Sequence, residues 1–258
     1  MESSPPVPLP EDQDRARALL EEGELEVVGR IPWASNATLL AKVCRDGQEN
    51  LAIYKPARGE RPLWDFPEGT LYQRELAAYL VSEQLGWGLV PLTVVRADGP
   101  FGIGSVQWFV DADPEVTAFE LIERGNAAMP LIAAFDVVIN NADRKAGHCL
   151  NAPSSSGSGG DPADGKVWAI DHGVCFHVEP KLRTVLWDFA GQRLATPLLA
   201  DLKALVETLE CDGELRQRLA MVLAPAEVEA LTDRADRLTR SGRLPHPRGR
   251  RPYPWPLV

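Results

Sequence analysis

The spacing of apolar residues changes near residues 111–114, and this change constrains the fold more than any other feature of the sequence. Before it, short runs rich in Val, Leu and Ile are separated by polar turns, which is typical of β-strands. After it, apolar residues recur every three or four positions, as they do on one face of a helix. Because strands and helices are segregated along the chain, the sequence predicts an α+β protein, organised as one two-lobed unit or as two small domains.

The first part of the chain predicts a helix, three strands, a second helix and two further strands. The second helix is the clearest element, since Leu76, Tyr79 and Leu80 share one face and Gly86 closes it. The predicted helices are residues 11–22 and 71–85, and the predicted strands are residues 24–31, 38–44, 50–54, 92–96 and 105–110. We therefore expect an N-terminal lobe over residues 1–110, built from an antiparallel sheet and one packed helix.

The second part predicts a mostly helical C-terminal lobe over residues 111–240. Its predicted helices are residues 116–124, 130–140, 198–209, 214–223 and 227–238, and its short strands are residues 149–151 and 167–170. Between these strands, residues 153–160 contain only Pro, Ser and Gly, which predicts a flexible surface loop. Residues 241–258 form a basic, Pro-rich tail that we expect to be a solvated extension.

The composition argues against several classes of function. The net charge of -10 repels nucleic acid and anionic lipid, so no nucleic-acid partner is expected. The longest apolar runs, such as residues 130–139, are too short to span a bilayer, and residues 1–10 lack the apolar core of a signal peptide. The 4 cysteines form no CxxC pair. We expect a cytoplasmic protein with reduced cysteines and no integral membrane segment.

Two apolar elements of the second part end in acidic residues. Asp143 follows the predicted helix over residues 130–140, and Asp171 follows an apolar strand and precedes Gly173. Each acid alone is more typical of a turn, but two carboxylates joined by a hairpin can converge on one point. One can then accept the proton of a hydroxyl group, while the other holds Mg²⁺ on the phosphates of ATP.

Phosphoryl transfer also needs a fixed cation for the phosphate oxygens. Lys55 ends a predicted strand, where a partly buried ammonium group requires an acidic partner. Glu75, on the following helix, is the candidate partner, although Glu83 lies two turns further on and competes with it. For both Lys55 and Glu75, a side chain that faces solvent is the alternative interpretation.

Together these segments resemble the phosphatidylinositol 3- and 4-kinase superfamily. The resemblance rests on Tyr54-Lys55-Pro56, Arg74-Glu75, Asn141-Ala142-Asp143-Arg144 and Ile170-Asp171-His172-Gly173. It covers roughly residues 25–190, and it is closer to the small bacterial members of the superfamily, which are also similar to HipA-type kinases. The resemblance implies a two-lobed protein-kinase-like fold, with an antiparallel sheet in the N-lobe and a mostly helical C-lobe.

The resemblance also implies a role for each of four residues. Asp143 matches the catalytic-loop acid, which acts as the base, and Asp171 matches the metal-binding acid. Lys55 matches the phosphate-binding lysine, with Glu75 as its partner. The implied ligands are ATP and either Mg²⁺ or Mn²⁺. The phosphoryl acceptor is unknown, and the net charge favours a protein or small-molecule hydroxyl over a lipid.

Two further segments match nucleotide-binding parts of the family. Residues 105–109 fall where the hinge strand binds adenine through backbone groups, so the candidates are Gln107, Trp108 and Phe109. The first hairpin lacks a GxGxxG loop, and the turn over residues 32–38 takes its place. Its candidates for binding phosphate oxygens are Ser35, Asn36 and Thr38. An ordinary polar turn is the alternative.

One position departs from the family pattern. His148 stands five residues after Asp143, where the family usually carries an asparagine that binds a second metal ion. Imidazole favours metals softer than Mg²⁺, so His148 implies a different metal, a weakened site or a partly degenerate protein. With Asp143 and Asp171, the residues His148, His172 and His177 make a His/Asp-rich set, so a metal-dependent phosphohydrolase is one alternative function. A nucleotide-binding pseudokinase that acts as a scaffold is the other.

Residues 179–192 fall where kinases carry their activation and substrate-binding loop. This segment mixes basic and aromatic side chains, namely Lys181, Arg183, Trp187 and Phe189. The mixture suits an anionic partner, but it suits docking against the C-terminal helices equally well.

Overall fold

The computed structural model describes residues 13–31, 36–152, 165–249 and 251–258. The first lobe is a five-stranded antiparallel sheet with the strand order β1-β2-β3-β5-β4. Its elements are α1 (Gln13–Glu22), β1 (Glu24–Arg30), β2 (Leu39–Arg45), β3 (Gln48–Pro56), α2 (Leu71–Gln84), β4 (Thr93–Arg96) and β5 (Gly104–Trp108). The sheet confirms the predicted antiparallel N-terminal lobe.

The hairpin between β2 and β3 fixes the register of the central strands. Asp46 and Gly47 form its turn, and both have positive φ angles, of 52° and 77°. Two consecutive residues of this kind give the turn whose twist matches that of paired strands. Side chains alternate between buried and partly buried along β2, because one face of the sheet packs on the core. β3 then runs to Pro56, so Lys55 is the second-last residue of this strand.

The second lobe is mostly helical. It contains α3 (Ala118–Glu123), α4 (Ala128–Ile139), β6 (Cys149–Ala152), β7 (Lys166–Ala169), α5 (Thr196–Glu210), α6 (Glu214–Ala220) and α7 (Pro225–Ser241). β6 and β7 pair antiparallel, as the two acidic segments require if they are to meet. The predicted flexible loop over residues 153–160 lies outside the described residues.

The hydrophobic core is divided into two clusters. The smaller one lies between α1 and the sheet and includes Leu20, Val43 and Val106. The larger one fills the helical lobe, and it also contains the apolar side chains of α2, among them Tyr79 and Leu80. The molecule is therefore an α+β protein of two lobes, with α2 shared between them. Within the described residues, no helix is both long enough and apolar enough to cross a membrane.

Candidate active site

A lysine and two carboxylates meet in the cleft between the lobes. The ammonium group of Lys55, near the end of β3, contacts Glu75 Oε1 on α2. It also donates a hydrogen bond of 2.8 Å to Asp171 Oδ1, in the turn after β7. The sequence separations are 20 and 116 residues, so the fold alone brings these groups together. The predicted pairing of Lys55 with Glu75 is present in the structure.

Both groups of the Lys55–Glu75 pair have hydrogen-bond partners in the site. Glu75 is 2% exposed, and its second oxygen accepts a hydrogen bond of 3.0 Å from the backbone N–H of His172. Burial alone would lower the pKa of Lys55, but Asp171 and Glu75 outweigh it and hold this pKa above its ordinary value. Lys55 therefore carries a full positive charge at physiological pH, as a group that binds phosphate must.

Asp171 is held in an uncommon backbone conformation. Its φ angle is 62°, in the left-handed region that few residues other than glycine adopt. Burial would raise the pKa of its carboxyl group, but Lys55 and His148 together lower it well below the ordinary value. Strained, permanently charged carboxylates of this kind occur at functional sites more often than elsewhere. Asp171 is thus a carboxylate that can bind a divalent cation.

Asp143 lies in the loop after α4 (residues 143–148). We call this segment the catalytic loop, after the role that the sequence predicts for it. Its backbone N–H donates to Asn141 Oδ1 at 2.9 Å, and its Oδ2 lies 3.4 Å from Lys145 Nζ. Burial raises the pKa of Asp143 to about 6, with Lys145 opposing the rise and Asp171 adding to it. A carboxylate with a pKa close to neutrality suits proton transfer.

Arg144 holds the catalytic loop in place through a buried side chain. Its guanidinium group is fully buried and binds both carboxylate oxygens of Asp136, on α4, at 3.0 and 3.1 Å. It also donates to the backbone carbonyls of Ile170 at 2.7 Å and His148 at 3.2 Å. One side chain thereby joins α4, the catalytic loop and the turn that carries Asp171.

His148 faces Asp171 across the site. Its Nε2 lies 3.3 Å from Asp171 Oδ2, and its Nδ1 accepts the backbone N–H of Lys145 at 3.4 Å. Burial lowers the pKa of His148 to about 4, against the opposing effect of Asp171, so the ring is neutral. An Nδ1 that accepts leaves the ring proton on Nε2, which then points at Asp171. In this arrangement His148 orients Asp171, and its role as a metal ligand stays a prediction.

The cleft also contains part of the predicted phosphate-binding turn. Its walls carry five of the predicted site residues, Asn36, Thr38, Lys55, Glu75 and Asp171. Asn36 Oδ1 accepts the backbone N–H of Arg61 at 3.0 Å, which fixes the turn against the segment after β3. Ser35 lies outside the described residues.

The predicted adenine-binding residues are already engaged within the protein. Gln107 is 5% exposed and donates to Thr93 Oγ1 at 2.8 Å. The backbone N–H groups of Trp108 and Phe109 donate to carbonyls of the chain itself, at 2.8 and 3.2 Å. These donors are not available to adenine in this conformation, because they are already bonded to carbonyl groups of neighbouring segments. An adenine contact in this segment stays a prediction, and it would have to use other backbone groups.

Sequence reasoning missed Lys145 and the Arg144–Asp136 pair. Lys145 lies two residues after Asp143, and its ammonium group contacts that carboxylate. Asp136 stands in an otherwise apolar helix, and a buried carboxylate there requires a cationic partner. That requirement was the available signal, but nothing in the sequence identified Arg144 as the partner.

The donor set fits a metal ion that arrives with a nucleotide. Among the residues that the structure describes, no group of three or more His, Cys, Asp or Glu side chains could hold a metal ion. Mg²⁺ in phosphoryl-transfer sites usually has one or two protein carboxylates, with phosphate oxygens and water completing its shell. Asp171 meets that requirement, with His148 next to it.

The fold is that of protein kinases. The chain is similar to the crystal structure of the Golgi casein kinase with Mn/ADP bound, with a TM-score of 0.54, 14% identity, and coverage of 88% of this chain and 74% of that one. It is similar to the structure of hydra Fam20 with sugar, with a TM-score of 0.54, 14% identity, and coverage of 93% and 91%. These likenesses define a two-lobed protein-kinase-like fold, and they do not confirm the phosphatidylinositol 3- and 4-kinase superfamily.

The particular family is shown by a relative in sequence. The chain is 42% identical over 279 residues to protein Rv2133c of Mycobacterium tuberculosis, covering 95% of this chain and 96% of that protein. The chain belongs to the same family as Rv2133c. No family model matches it.

Proposed function

We propose that this protein is an atypical kinase that transfers the γ-phosphoryl group of ATP to a hydroxyl group. The observation that carries the proposal is the convergence of Lys55, Glu75 and Asp171 in one cleft, with Asp143 on the adjoining loop. The Golgi casein kinase has been crystallised with Mn/ADP bound, which agrees with a nucleotide and a divalent cation in this fold.

Each residue of the cleft has a defined task in this reaction. ATP supplies the phosphoryl group, and Mg²⁺ or Mn²⁺ neutralises charge on its phosphates. Lys55 binds phosphate oxygens, and Glu75 keeps its ammonium group aimed into the cleft. Asp171 provides a carboxylate for the metal, and His148 orients that carboxylate by the contact to Oδ2.

Asp143 acts as the base. The acceptor oxygen forms a bond to the γ-phosphorus, and its proton passes to the carboxylate of Asp143. The bond between the γ-phosphorus and the bridging oxygen breaks, and ADP leaves with that electron pair. Lys145, 3.4 Å from Asp143 Oδ2, places a positive charge beside the group in transfer.

The order of the lysine, the glutamate and the two acidic motifs supports a relation to the phosphatidylinositol 3- and 4-kinase superfamily. A protein or small-molecule hydroxyl remains the proposed acceptor, since a net charge of -10 disfavours an anionic lipid surface. A phosphohydrolase would need more metal ligands than the described residues bring together.

The test is a calorimetric titration with ATP in the presence of Mg²⁺, in the presence of Mn²⁺ and without metal. We expect metal-dependent binding that Asp171→Asn weakens at least about tenfold, because it removes the charged ligand. Asp98→Asn is the matched control, since Asp98 also pairs with a cation, Arg96, but at the surface of the sheet. Equal affinity of the wild type and Asp171→Asn, or no binding of ATP in either metal, would refute the proposal. ATP binding that needs no metal, without any phosphoryl transfer, would identify a pseudokinase.

A further inference from the structure

Residues 251–258, which we call the strap, lie across the catalytic loop. The backbone carbonyl of Pro252 accepts hydrogen bonds from the Thr184 backbone at 3.1 Å and the Trp187 indole N–H at 2.9 Å. Further along, the Leu257 carbonyl accepts the backbone N–H of Ala146 at 2.8 Å. The part of the tail expected to be a solvated extension is therefore bound to the body of the protein at both ends.

The donors that hold the strap lie next to the proposed base. Ala146 belongs to the catalytic loop and follows Lys145, which contacts Asp143. Thr184 lies in a segment that pairs with Arg144: the Arg144 N–H donates to the carbonyl of residue 183 at 3.0 Å, and the N–H of Val185 donates to the Arg144 carbonyl at 3.1 Å. The strap therefore lies against the loop that carries Asp143, three residues from it in sequence at Ala146.

The contacts of the strap are of a kind that another chain could make. All three bonds use backbone carbonyls of the strap, which every peptide offers. Prolines alternate along it (Pro252, Pro254 and Pro256), so it has few N–H groups of its own to satisfy. Pro254 is buried, whereas Trp255 is 88% exposed and Tyr253 is 50% exposed. Because proline fixes φ, a proline-rich segment loses little conformational freedom when it binds, which favours its recognition by another surface.

We propose that the phosphoryl acceptor is a proline-rich protein segment, which binds along the catalytic loop on the surface that the strap occupies. This inference rests on the proposed kinase function and specifies its acceptor. A Ser, Thr or Tyr hydroxyl of the bound segment gives its proton to Asp143 and takes the phosphoryl group, and ADP is released. The strap is the competing occupant, so it lowers the rate of transfer until it leaves.

The strap can leave while the rest of the molecule stays folded. Within the part of the chain that the structure describes, three hydrogen bonds and one buried proline hold it, and none of its residues belongs to either core cluster. Segments with few buried contacts open locally, without global unfolding. Opening exposes the N–H donors of Ala146 and Thr184, which an incoming segment can then satisfy.

The test compares two substitutions at neighbouring positions, each of which adds one carboxylate. Pro254→Asp places a carboxylate at a buried position and should expel the strap, whereas Trp255→Asp adds the same charge in solvent. The probe is a fluorescent peptide with the sequence of residues 251–258, and its binding is followed by anisotropy without nucleotide. We expect Pro254→Asp to bind the probe at least about tenfold more tightly than the wild type. Trp255→Asp should bind it as weakly as the wild type does.

A second measurement connects the surface to transfer. The same proteins receive Mn²⁺, labelled ATP and a library of proline-rich peptides that contain Ser, Thr or Tyr. Pro254→Asp should transfer phosphate at least about tenfold faster than the wild type, and the unlabelled peptide of residues 251–258 should compete with the library but not with ATP. If Pro254→Asp does not fold, the double change Pro252→Gly and Pro254→Gly replaces it, since it makes the free strap more flexible.

The outcomes separate this inference from the kinase proposal. If all proteins bind ATP with metal, but Pro254→Asp or its double-glycine replacement neither binds the probe more tightly nor transfers faster than the wild type, the acceptor surface is wrong and the kinase proposal stands. If Pro254→Asp or its double-glycine replacement binds the probe more tightly but no protein binds ATP, the acceptor assignment falls together with the kinase proposal.

Discussion

At the scale of single residues, the pKa values of two carboxylates in the site shift in opposite directions. The pKa of Asp171 is far below its ordinary value, despite burial, because Lys55 and His148 favour its charged form. The pKa of Asp143 is raised to about 6 by burial, with Lys145 opposing the rise. Pairs of acids whose surroundings push their pKa values apart are typical of sites where one acid moves a proton and the other stays charged.

This difference predicts the pH dependence of the reaction. Asp143 must be ionised to accept a proton, so the transfer rate of the wild type should rise with pH through about 6 and then stay level. Asp143→Asn should lower the rate by about 10²- to 10⁴-fold at about pH 8, and its residual rate should not rise with pH through about 6. The measurement is the single-turnover rate from about pH 5 to about pH 8. A wild-type profile that is flat through this range would contradict the assignment of Asp143 as the base.

The same pKa has a consequence for stability. The folded-state pKa of Asp143 lies above the value of 3.8 for an unperturbed group, so ionising it costs the folded protein free energy. This destabilisation is present above about pH 6 and disappears as the pH falls below about 4, where the group is protonated in both states. Thermal unfolding of Asp143→Asn should therefore occur at the wild-type temperature or higher at about pH 8, and at the wild-type temperature below about pH 4. A variant that unfolds at a lower temperature than the wild type at the higher pH would contradict this sign.

At the scale of elements, α2 connects the cleft to the helical lobe. Two adjacent residues serve different partners: Glu75 faces Lys55, while Arg74 donates to the Cys175 carbonyl at 2.8 Å and to Glu227 on α7 at 2.7 Å. Arg74 is 2% exposed. The position of Glu75 relative to Lys55 therefore depends on how α2 is attached to α7.

Removing this attachment should weaken ATP binding from a distance. Arg74→Met leaves Glu227 without its cation and allows α2 to shift, so we expect the KM for ATP to rise about threefold or more. Arg17→Met is the matched control, because it also removes a guanidinium contact to α2. That contact, to the hydroxyl group of Tyr79, comes from α1 and does not involve α7. Steady-state kinetics with varied ATP measures both variants. Equal KM values for the two would show that the attachment to α7 does not position Glu75.

The elements were predicted from the sequence better than their arrangement. Alternation along β2 and the stripe on α2 are local signals, so the observed bounds differ from the predicted ones by only a few residues. The insertion of β5 between β3 and β4 has no local signal, because it depends on pairing between distant strands. Glu75 was predicted as the partner of Lys55, with a solvent-facing side chain as the alternative, but the burial of the adjacent Arg74 was not predicted. Both are buried, since α2 lies between the sheet and the helical lobe.

At the scale of the whole molecule, the two lobes share one helix and are not independent units. The larger core cluster, in the helical lobe, includes Tyr79 and Leu80 of α2, although α2 precedes two strands of the sheet in sequence. Arg74 adds a polar connection from α2 to α7. The sequence placed residues 1–110 in a lobe of their own because the spacing of apolar residues changes there. It carried no information on which core the buried face of α2 joins.

We expect the whole molecule to unfold in one cooperative transition. Since α2 contributes to the core of the helical lobe, neither lobe can lose its packing without disturbing the other. Far-UV circular dichroism and Trp fluorescence in urea should give coincident midpoints. Two truncations provide the comparison: Leu20→Ala in the smaller cluster and Leu80→Ala in the larger one, each buried and each expected to cost about 2–5 kcal/mol. Both should lower the same single midpoint for both probes, whereas independent lobes would show two transitions, with Leu20→Ala shifting only one of them.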